Sequence, residues 1–142
     1  MLCVDTSFLF SLYGNDTHSE EALRLLEKTS QPLLLSDLNA YELGNAFRFA
    51  ECRGLISKGE ASRRRDALTL DYKGKRCIPS HISLAEIVQH AELLSMEYTL
   101  EGGHRAFDIL HVAHALLAKP KRFLSFDQNQ VRLAKAVGLS CN

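Results

Sequence analysis

Four acidic residues are set apart from the other acids of the chain by the sequence around them. Asp5 and Asp127 each follow a short apolar run, while Glu42 and Asp108 fall within segments whose apolar residues recur at helical spacing. Each alone has an ordinary explanation, because a strand-end aspartate is commonly a helix N-cap and a helical glutamate is commonly solvated. Together, four carboxylates can hold one or two Mg²⁺ or Mn²⁺ ions and leave coordination positions for water and a phosphate. Such a site activates water and polarises a phosphoryl group without a His or Cys nucleophile.

The stretch from His104 to Asp127 positions two of these acids. Its apolar residues recur at three-and-four spacing, which predicts a packed helix that carries Asp108 beside its apolar face. An unpaired charge there would be costly, so we expect a group that compensates it. Pro120 ends this helix, and the strand Arg122–Phe126 then delivers Asp127 at its carboxyl end, where ligand sites of α/β sheets lie.

The rest of the chain alternates short apolar runs with helical patterns. The predicted strands are Met1–Val4, Pro32–Ser36, Cys77–Ile78, Arg122–Phe126 and an edge strand at Leu139–Asn142. The other predicted helices are Phe8–Tyr13, His18–Lys28, Asp37–Arg53, Ser57–Tyr72, Ser83–Tyr98 and Asn129–Val137. The hydroxyls of Thr6 and Ser7 are expected to cap the first of these helices. Capping boxes are predicted at Ser57/Glu60 and Ser83/Glu86. Gly102 and Gly103 are expected to form a flexible loop. The alternation predicts an α/β fold with a mostly parallel sheet covered on both faces.

Composition narrows the class of protein. At 142 residues the chain has the length of one domain, and 17 basic against 17 acidic residues leave no net charge to drive binding to nucleic acid or membranes. Cys3, Cys52, Cys77 and Cys141 lie far apart with no C-x-x-C pair, which favours free thiols in a reducing compartment over a zinc site. With no basic leader and no apolar run of spanning length, we expect a cytoplasmic protein with no membrane partner.

Four short motifs resemble those of the PIN-domain family. They are VDTSFLF at Val4–Phe10, YELGNAF at Tyr41–Phe47, FDILHVAHA at Phe107–Ala115 and LSFDQN at Leu124–Asn129. They occur in the family's order and cover nearly the whole chain, so that residues 1–142 are interpreted as a single PIN domain. The resemblance is closest to the single-domain ribonuclease toxins of VapBC-type toxin-antitoxin pairs.

The resemblance implies both a fold and a function. It implies a Rossmann-like three-layer α/β/α sandwich, a Mg²⁺ or Mn²⁺ site formed by Asp5, Glu42, Asp108 and Asp127, and endonucleolytic cleavage of RNA that leaves 5′-phosphate and 3′-hydroxyl ends. It also implies a cognate antitoxin and a homodimer, for which the apolar residues of the His18–Lys28 and Ser57–Tyr72 helices could supply a patch or could equally be core.

Several neighbouring residues could support the four acids. The hydroxyls of Thr6, Ser7 and Ser125 could orient a carboxylate or cap a helix, and Asn129 could be an outer-sphere ligand or a cap. His111 is one turn beyond Asp108 and could bond to the site, although a satisfied buried histidine is the more common case. The three-residue spacing of Asp108, His111 and His114 is not a zinc-binding pattern.

An RNA-binding protein with no net charge would need a local basic rim. The densest basic run is Arg63, Arg64 and Arg65, with Lys73, Lys75 and Arg76 after it, and this run is the candidate phosphate contact. A solvated helix face is an equally good interpretation of the same residues.

Two other classes of protein compete with the nuclease. A PIN fold kept as an inactive RNA-binding or protein-interaction module is the principal alternative, and four intact acidic positions argue against it. A Rossmann-like aspartyl-phosphate enzyme would carry D-x-D at the first strand, and a receiver-type domain would carry adjacent acids there. Both are disfavoured, because Asp5-Thr6-Ser7 and Cys3-Val4-Asp5 match neither pattern.

Overall fold

A computed structural model describes residues 1–142 as eleven helices and strands that alternate along most of the chain. The strands are β1 (Leu2–Val4), β2 (Leu33–Leu35), β3 (Cys77–Pro79) and β4 (Arg122–Leu124). The helices are α1 (Thr6–Tyr13), α2 (Ser19–Glu27), α3 (Asp37–Cys52), α4 (Glu60–Lys73), α5 (Leu84–Gly102), α6 (Ala106–Ala118) and α7 (Gln128–Ala136). None of these helices is long and apolar enough to cross a membrane.

The four strands form one parallel sheet with the order β3-β2-β1-β4. Their side chains alternate between two cores, as the two-residue period of a strand requires. Leu2 and Val4 of β1 face the core formed with α1 to α4, whereas Cys3 faces the core formed with α5 to α7. The leucines of β2 alternate in the same way. Leu33 and Leu35 face the core formed with α1 to α4, and Leu34 faces the core formed with α5 to α7. The predicted three-layer α/β/α sandwich is confirmed.

Parallel strands bring their carboxyl ends to the same edge of the sheet. The first acid follows β1 directly, and the last follows β4 by three residues. Helix α3 begins two residues after β2, and α6 packs against β1 and α7, so that both helices present residues near that edge. The topology thus gathers segments that are far apart in the chain.

Two predicted helix starts were wrong in detail. Helix α1 begins at Thr6 because the Asp5 carboxylate, and not a hydroxyl of Thr6 or Ser7, caps it. Helix α4 begins at Glu60 behind Gly59, which has φ 82°, and the capping box with Ser57 is not formed. The carboxylate of Glu51 accepts hydrogen bonds from the amides of Gly59 and Ala61 instead, at 2.8 and 2.9 Å. The amides at the start of α4 are therefore capped by the distant Glu51 and not by Ser57.

Other predicted boundaries shift for identifiable reasons. Ser83 and Glu86 form the predicted capping box, but α5 runs on to Gly102, and Gly103, with φ 62°, ends it as a left-handed cap. The predicted edge strand at Leu139–Asn142 reduces to a single bridge between Phe123 and Cys141. The pattern there was too short to distinguish a strand from an extended tail.

Candidate active site

All four acids line one cavity of about 470 Å³ at the carboxyl edge of the sheet. Thr6 and Ser7 line the same cavity, while Ser125 and Asn129 lie outside it. His111 also lines the cavity, as does Arg105, which the sequence analysis did not single out. The other polar residues of its wall are Ser11, Asp16, His18 and Gln130. The structure therefore brings together acids that are up to 122 residues apart in the chain.

Asp5 is the most deeply buried of the four carboxylates. Its Oδ1 accepts hydrogen bonds from the backbone amide of Phe8 at 2.9 Å and from the Ser7 hydroxyl at 2.8 Å. Burial raises the pKa of Asp5 above its usual value, and these hydrogen bonds offset only part of that effect. A buried carboxylate with a raised pKa is one whose charge a bound cation would stabilise.

Glu42 is held by two hydrogen-bond donors. Its Oε2 accepts a hydrogen bond from the Thr6 hydroxyl and another from Nε2 of His111, the latter at 2.7 Å. Burial alone would raise the pKa of Glu42, but the hydrogen bonds from His111 and Thr6 outweigh it and hold the pKa below the usual value. Glu42 is therefore ionised at neutral pH and fixed in place.

A buried asparagine sets the tautomer of His111. Oδ1 of Asn39 must face Ser36, because it accepts that residue's backbone N–H at 2.9 Å. The amide nitrogen of Asn39 therefore faces Nδ1 of His111 at 3.3 Å, while it also donates to the Val4 carbonyl at 3.0 Å. Because Nδ1 accepts, Nε2 carries the hydrogen and donates it to Glu42. His111 is both a buried, satisfied histidine and a neighbour of the acids.

Asp127 caps α7 while it faces the cavity. Its Oδ1 accepts from the backbone amides of Asn129 and Gln130 at 2.9 and 3.1 Å. The Ser125 hydroxyl in turn accepts the amide of Asp127 at 3.0 Å, so Ser125 positions this acid through its backbone. The side chain of Asn129 bonds to Gly103 and Arg132, outside the cavity. Its contribution to Asp127 comes from its main chain.

Arg105 compensates Asp108, as the sequence analysis required of some group. It precedes α6, and its Nε donates to Oδ2 of Asp108 at 2.8 Å while Nη2 lies 3.3 Å from Oδ1. The same Nη2 donates to Oδ2 of Asp127 at 2.8 Å. One guanidinium therefore joins the two acids of the His104 to Asp127 stretch.

The donor chemistry of the cavity fits a hard divalent cation, although the side chains do not yet converge as ligands. Four carboxylates with hydroxyl and imidazole neighbours are a suitable oxygen-rich set. As placed, no three His, Cys, Asp or Glu side chains are close enough together to hold a metal ion. The guanidinium of Arg105 stands between Asp108 and Asp127 and shows that a positive charge is accommodated there.

The three arginines of the predicted phosphate contact do not behave alike. The side chain of Arg64 is only 16% exposed, pairs with Glu60 at 2.9 Å and lies over the ring of Phe47. Its guanidinium also donates to the Tyr13 carbonyl. Arg63 and Arg65 point into solvent. Arg63 is paired with Glu60 at 2.8 Å, which leaves Arg65 as the best candidate to contact a phosphate. None of the three lines the acidic cavity.

A separate basic cavity lies between α3 and α4. Arg65 lines it together with Arg48 and Lys58, and its volume is about 770 Å³. Lys75 and Arg76, in contrast, immediately precede β3 and therefore lie at the amino edge of the parallel sheet, opposite the acids. The basic flank proposed from sequence is therefore divided between two ends of the molecule.

Sequence reasoning missed Arg105 in the cavity wall and Asn39 in its support, and it also missed the wall residues Ser11, Asp16, His18 and Gln130. Asn39 follows Ser36 at the spacing of a capping box, which was the available signal, but its contacts with Val4 and His111 depend on tertiary structure. Arg105 lies three residues before Asp108, a spacing at which opposite charges pair on a helix. That pair could have been predicted, but the second pair with Asp127 could not.

The cysteines take no part in this site. All four are free thiols, and burial raises the pKa of Cys3 to about 12, which makes it unreactive at neutral pH. The expectation of unpaired thiols is confirmed.

Comparison with known proteins identifies a family. Residues 2–136 match the PIN domain family. Among curated proteins, Ribonuclease VapC3 from Pyrobaculum aerophilum is 32% identical over 114 residues, which cover 80% of this chain and 80% of that protein. The family match over residues 2–136 includes all four acids.

Solved structures share the fold over almost the full length. The VapC20 toxin of Mycobacterium tuberculosis, described as cleaving the sarcin-ricin loop, has a TM-score of 0.70 at 19% identity, with 98% of this chain and 96% of that chain covered. FitAcB from Neisseria gonorrhoeae has a TM-score of 0.63 at 14% identity, with 99% and 96% covered. At these identities the likeness concerns the fold.

Proposed function

The chain belongs to the PIN-domain family, and we propose that it is a metal-dependent endoribonuclease whose catalytic centre is the acidic cavity. The observation that carries the proposal is the placement of Asp5, Glu42, Asp108 and Asp127 around one open cavity at the carboxyl edge of the sheet. A relative named as a ribonuclease supports the same activity.

The four carboxylates would hold Mg²⁺ or Mn²⁺ through their oxygens. When bound, the cation supplies a lowered pKa for a coordinated water and polarisation of the scissile phosphoryl group. The protein does the positioning. Ser7 and the amide of Phe8 fix Asp5, and Thr6 and His111 fix Glu42. The hydroxyls of Ser7 and Thr6 and the amide of Phe8 are uncharged, so they do not cancel the negative charge that attracts a cation.

Asp127 is positioned in the same way by the main chain. The amides of Asn129 and Gln130 bond to Oδ1 and leave Oδ2 facing Arg105 and the cavity. No Cys lines the cavity, and the hydroxyls of Ser7 and Ser125 position the two strand-end aspartates.

The proposal extends to partners and context. We propose that residues 1–142 act as a single domain, as the toxin of a type II toxin-antitoxin pair in the cytoplasm. An RNA would be the substrate, a cognate antitoxin protein the inhibitor and a second copy of the chain the homodimer partner. Structural neighbours described as a VapC toxin and as FitAcB support the antitoxin.

One observation favours a second candidate function. Arg105 neutralises Asp108 and Asp127, and the carboxylates do not converge as placed. An inactive PIN-fold module that binds RNA or protein would have the same appearance, because an internal ion pair can replace a metal in a site that is no longer catalytic.

A cleavage assay distinguishes the two. Purified protein, free of any antitoxin, is incubated with end-labelled total RNA and Mn²⁺ or Mg²⁺, with excess chelator as the control. We expect discrete cuts that need metal and leave 5′-phosphate and 3′-hydroxyl ends. Cuts that persist in chelator and leave cyclic phosphates would contradict a metal-dependent mechanism, and a failure to cut or to bind metal would favour the inactive module.

A further inference from the structure

Arg105 is the one lysine or arginine among the residues that line the acidic cavity. We propose that its guanidinium is an internal counter-ion which occupies the position of a divalent cation between Asp108 and Asp127, and that cation binding releases it to the phosphodiester of the RNA. This inference rests on the proposed nuclease function and assigns Arg105 two alternating partners.

The contacts of Arg105 block the acids from acting as metal ligands. Both oxygens of Asp108 face the guanidinium, and Oδ2 of Asp127 accepts from the same Nη2. Oδ1 of Asp127 is engaged by two helix amides. Asp108 therefore has no oxygen free of Arg105, and Asp127 has none free for a metal until Arg105 leaves. This explains why four acids share a cavity although no three converge.

The same side chain is free to move. Arg105 is the residue before α6, with an extended backbone, and its side chain is 72% exposed. The guanidinium side of these ion pairs is open to water and salt, and holding a long side chain in one geometry costs entropy, although both carboxylates are largely buried. The release of Arg105 leaves the buried carboxylate of Asp108 without a partner unless a cation takes its place. A divalent cation, with twice the charge and direct coordination, competes well for the two carboxylates.

A released Arg105 would remain beside the reacting groups. Its backbone is fixed three residues before Asp108, so the guanidinium stays within reach of a phosphate that approaches the cavity. Guanidinium is always charged at physiological pH and donates two parallel hydrogen bonds to phosphate oxygens. The chemistry of this side chain thus suits both partners, a carboxylate pair without metal and a phosphodiester with it.

Metal affinity tests the first half of the inference. Mn²⁺ is titrated into the protein by calorimetry for the wild type, Arg105→Gln and Arg24→Gln. Arg24 is a matched control, because it forms a 2.8 Å ion pair with Glu20, its side chain is 65% exposed and it lies on α2. We expect Arg105→Gln to bind Mn²⁺ about three- to tenfold more tightly and Arg24→Gln to match the wild type.

The outcomes separate this inference from the proposed function. Mn²⁺ binding by the wild type with equal or weaker binding by Arg105→Gln would overturn the inference alone, since Arg105 would then not compete for the site. If Arg24→Gln bound Mn²⁺ more tightly by the same factor, the inference would also be overturned, because the loss of any positive charge would then explain the effect. No Mn²⁺ binding by any variant would overturn the metal site and the inference together.

Steady-state kinetics at saturating Mn²⁺ test the second half. With metal in place, Arg105→Gln should raise KM for an RNA substrate by about three- to tenfold and change kcat less, because a phosphate contact made in the ground state is lost. Arg105→Lys keeps the charge, so its KM should lie between those of the wild type and Arg105→Gln. An unchanged KM in Arg105→Gln would overturn the phosphate role, while circular dichroism confirms that each variant is folded.

Discussion

Two of the four acids cap a helix and also line the cavity. The Asp5 carboxylate caps α1 through Oδ1, and the Asp127 carboxylate caps α7 through Oδ1 while Oδ2 faces Arg105. In the sequence, capping and metal binding compete as explanations for a strand-end aspartate. In the structure they are compatible, because a carboxylate has two oxygens and the cap needs one.

Replacement of Asp5 by asparagine should separate stability from function. Asn can still accept from Phe8 and Ser7, while it removes a buried charge whose pKa is raised by burial. We expect Asp5→Asn to raise Tm in chelator by about 2 to 5 °C and to lose most of the Tm increase that millimolar Mn²⁺ gives the wild type. Differential scanning fluorimetry with and without Mn²⁺ measures both effects.

Asp127→Asn is the matched comparison. It removes an ion pair with Arg105 and a charged cap of α7, so its metal-free Tm should not rise. The account would be contradicted if Asp5→Asn kept the full Mn²⁺ response, or if both variants changed the metal-free Tm in the same direction and by the same amount.

Among the elements, α6 combines the core and the site. Its apolar residues pack into the core shared with α5 and α7, and Asp108 and His111 face the cavity from the same helix. The next histidine, His114, is fully buried, and its Nε2 has no hydrogen-bond partner. Burial, with a smaller contribution from His111, lowers the pKa of His114 to about 4.

His114 should make the protein less stable in weak acid. Below about pH 6.5 the unfolded chain binds a proton at this residue that the folded chain binds only near pH 4, so stability falls as the pH falls through this window. The loss between pH 6.5 and 5 is about 2 kcal/mol, at 1.36 kcal/mol per pKa unit. In urea unfolding across this pH range, the free energy of unfolding of His114→Leu should depend less on pH than that of the wild type. Parallel curves for the two proteins would rule out His114 as the cause.

Of the basic residues of α4, Arg64 should contribute to stability and Arg65 to RNA binding. Arg65 is exposed beside the basic cavity, whereas Arg64 is packed against Phe47 and paired with Glu60. We expect Arg65→Ala to weaken RNA binding and to reduce the slope of log affinity against log salt by about 1. Arg64→Ala should lower the free energy of unfolding by about 1 to 2 kcal/mol.

Filter binding at several salt concentrations and urea unfolding measure the two effects. The division would be wrong if Arg64→Ala reduced the salt slope without a loss of stability, because Arg64 would then contact phosphate and not the protein.

Sequence predicted the elements better than their ends. Apolar runs, apolar periodicity and capping signals together located β1 to β4 and all seven helices, since each is a local property of the sequence. The cap of α4 escaped prediction because Glu51, on the preceding helix, supplies it. Likewise the four acids could be selected from their context, whereas the bond of Arg105 to Asp127 spans 22 residues and depends on the packing of α6 against α7.

At the scale of the whole molecule, one outward face is a candidate for contact with a second copy. Leu93, Met96 and Leu100 recur at three- and four-residue spacing on α5, and all three are exposed. The helices singled out from sequence each expose fewer large apolar side chains, such as Leu23 on α2 and Leu70 on α4. An apolar helix face in water is typical of an interface between protein subunits.

The proposed homodimer can be tested on this face. Met96→Glu should shift the protein to a monomer in light scattering after gel filtration, because a charge at the centre of an apolar interface is not desolvated without cost. Leu70→Glu, at an exposed apolar position of α4, is the control and should leave the mass unchanged. A dimer that survives Met96→Glu but dissociates with Leu70→Glu would place the interface on α4.

The parallel sheet brings four acids that are far apart in the chain to one cavity. The central claim is therefore that this cavity performs the cleavage, and its most direct test is the rate of RNA cleavage in Mn²⁺ by Asp108→Asn against Asp66→Asn. Asp66 is an exposed acid on α4, outside the cavity, and undergoes the same chemical change.

The account predicts that Asp108→Asn lowers the rate by at least about a hundredfold, or roughly 2.7 kcal/mol of transition-state stabilisation. Asp66→Asn should cleave at the wild-type rate. Equal rates in all three proteins would contradict the claim and place any nuclease activity outside the acidic cavity.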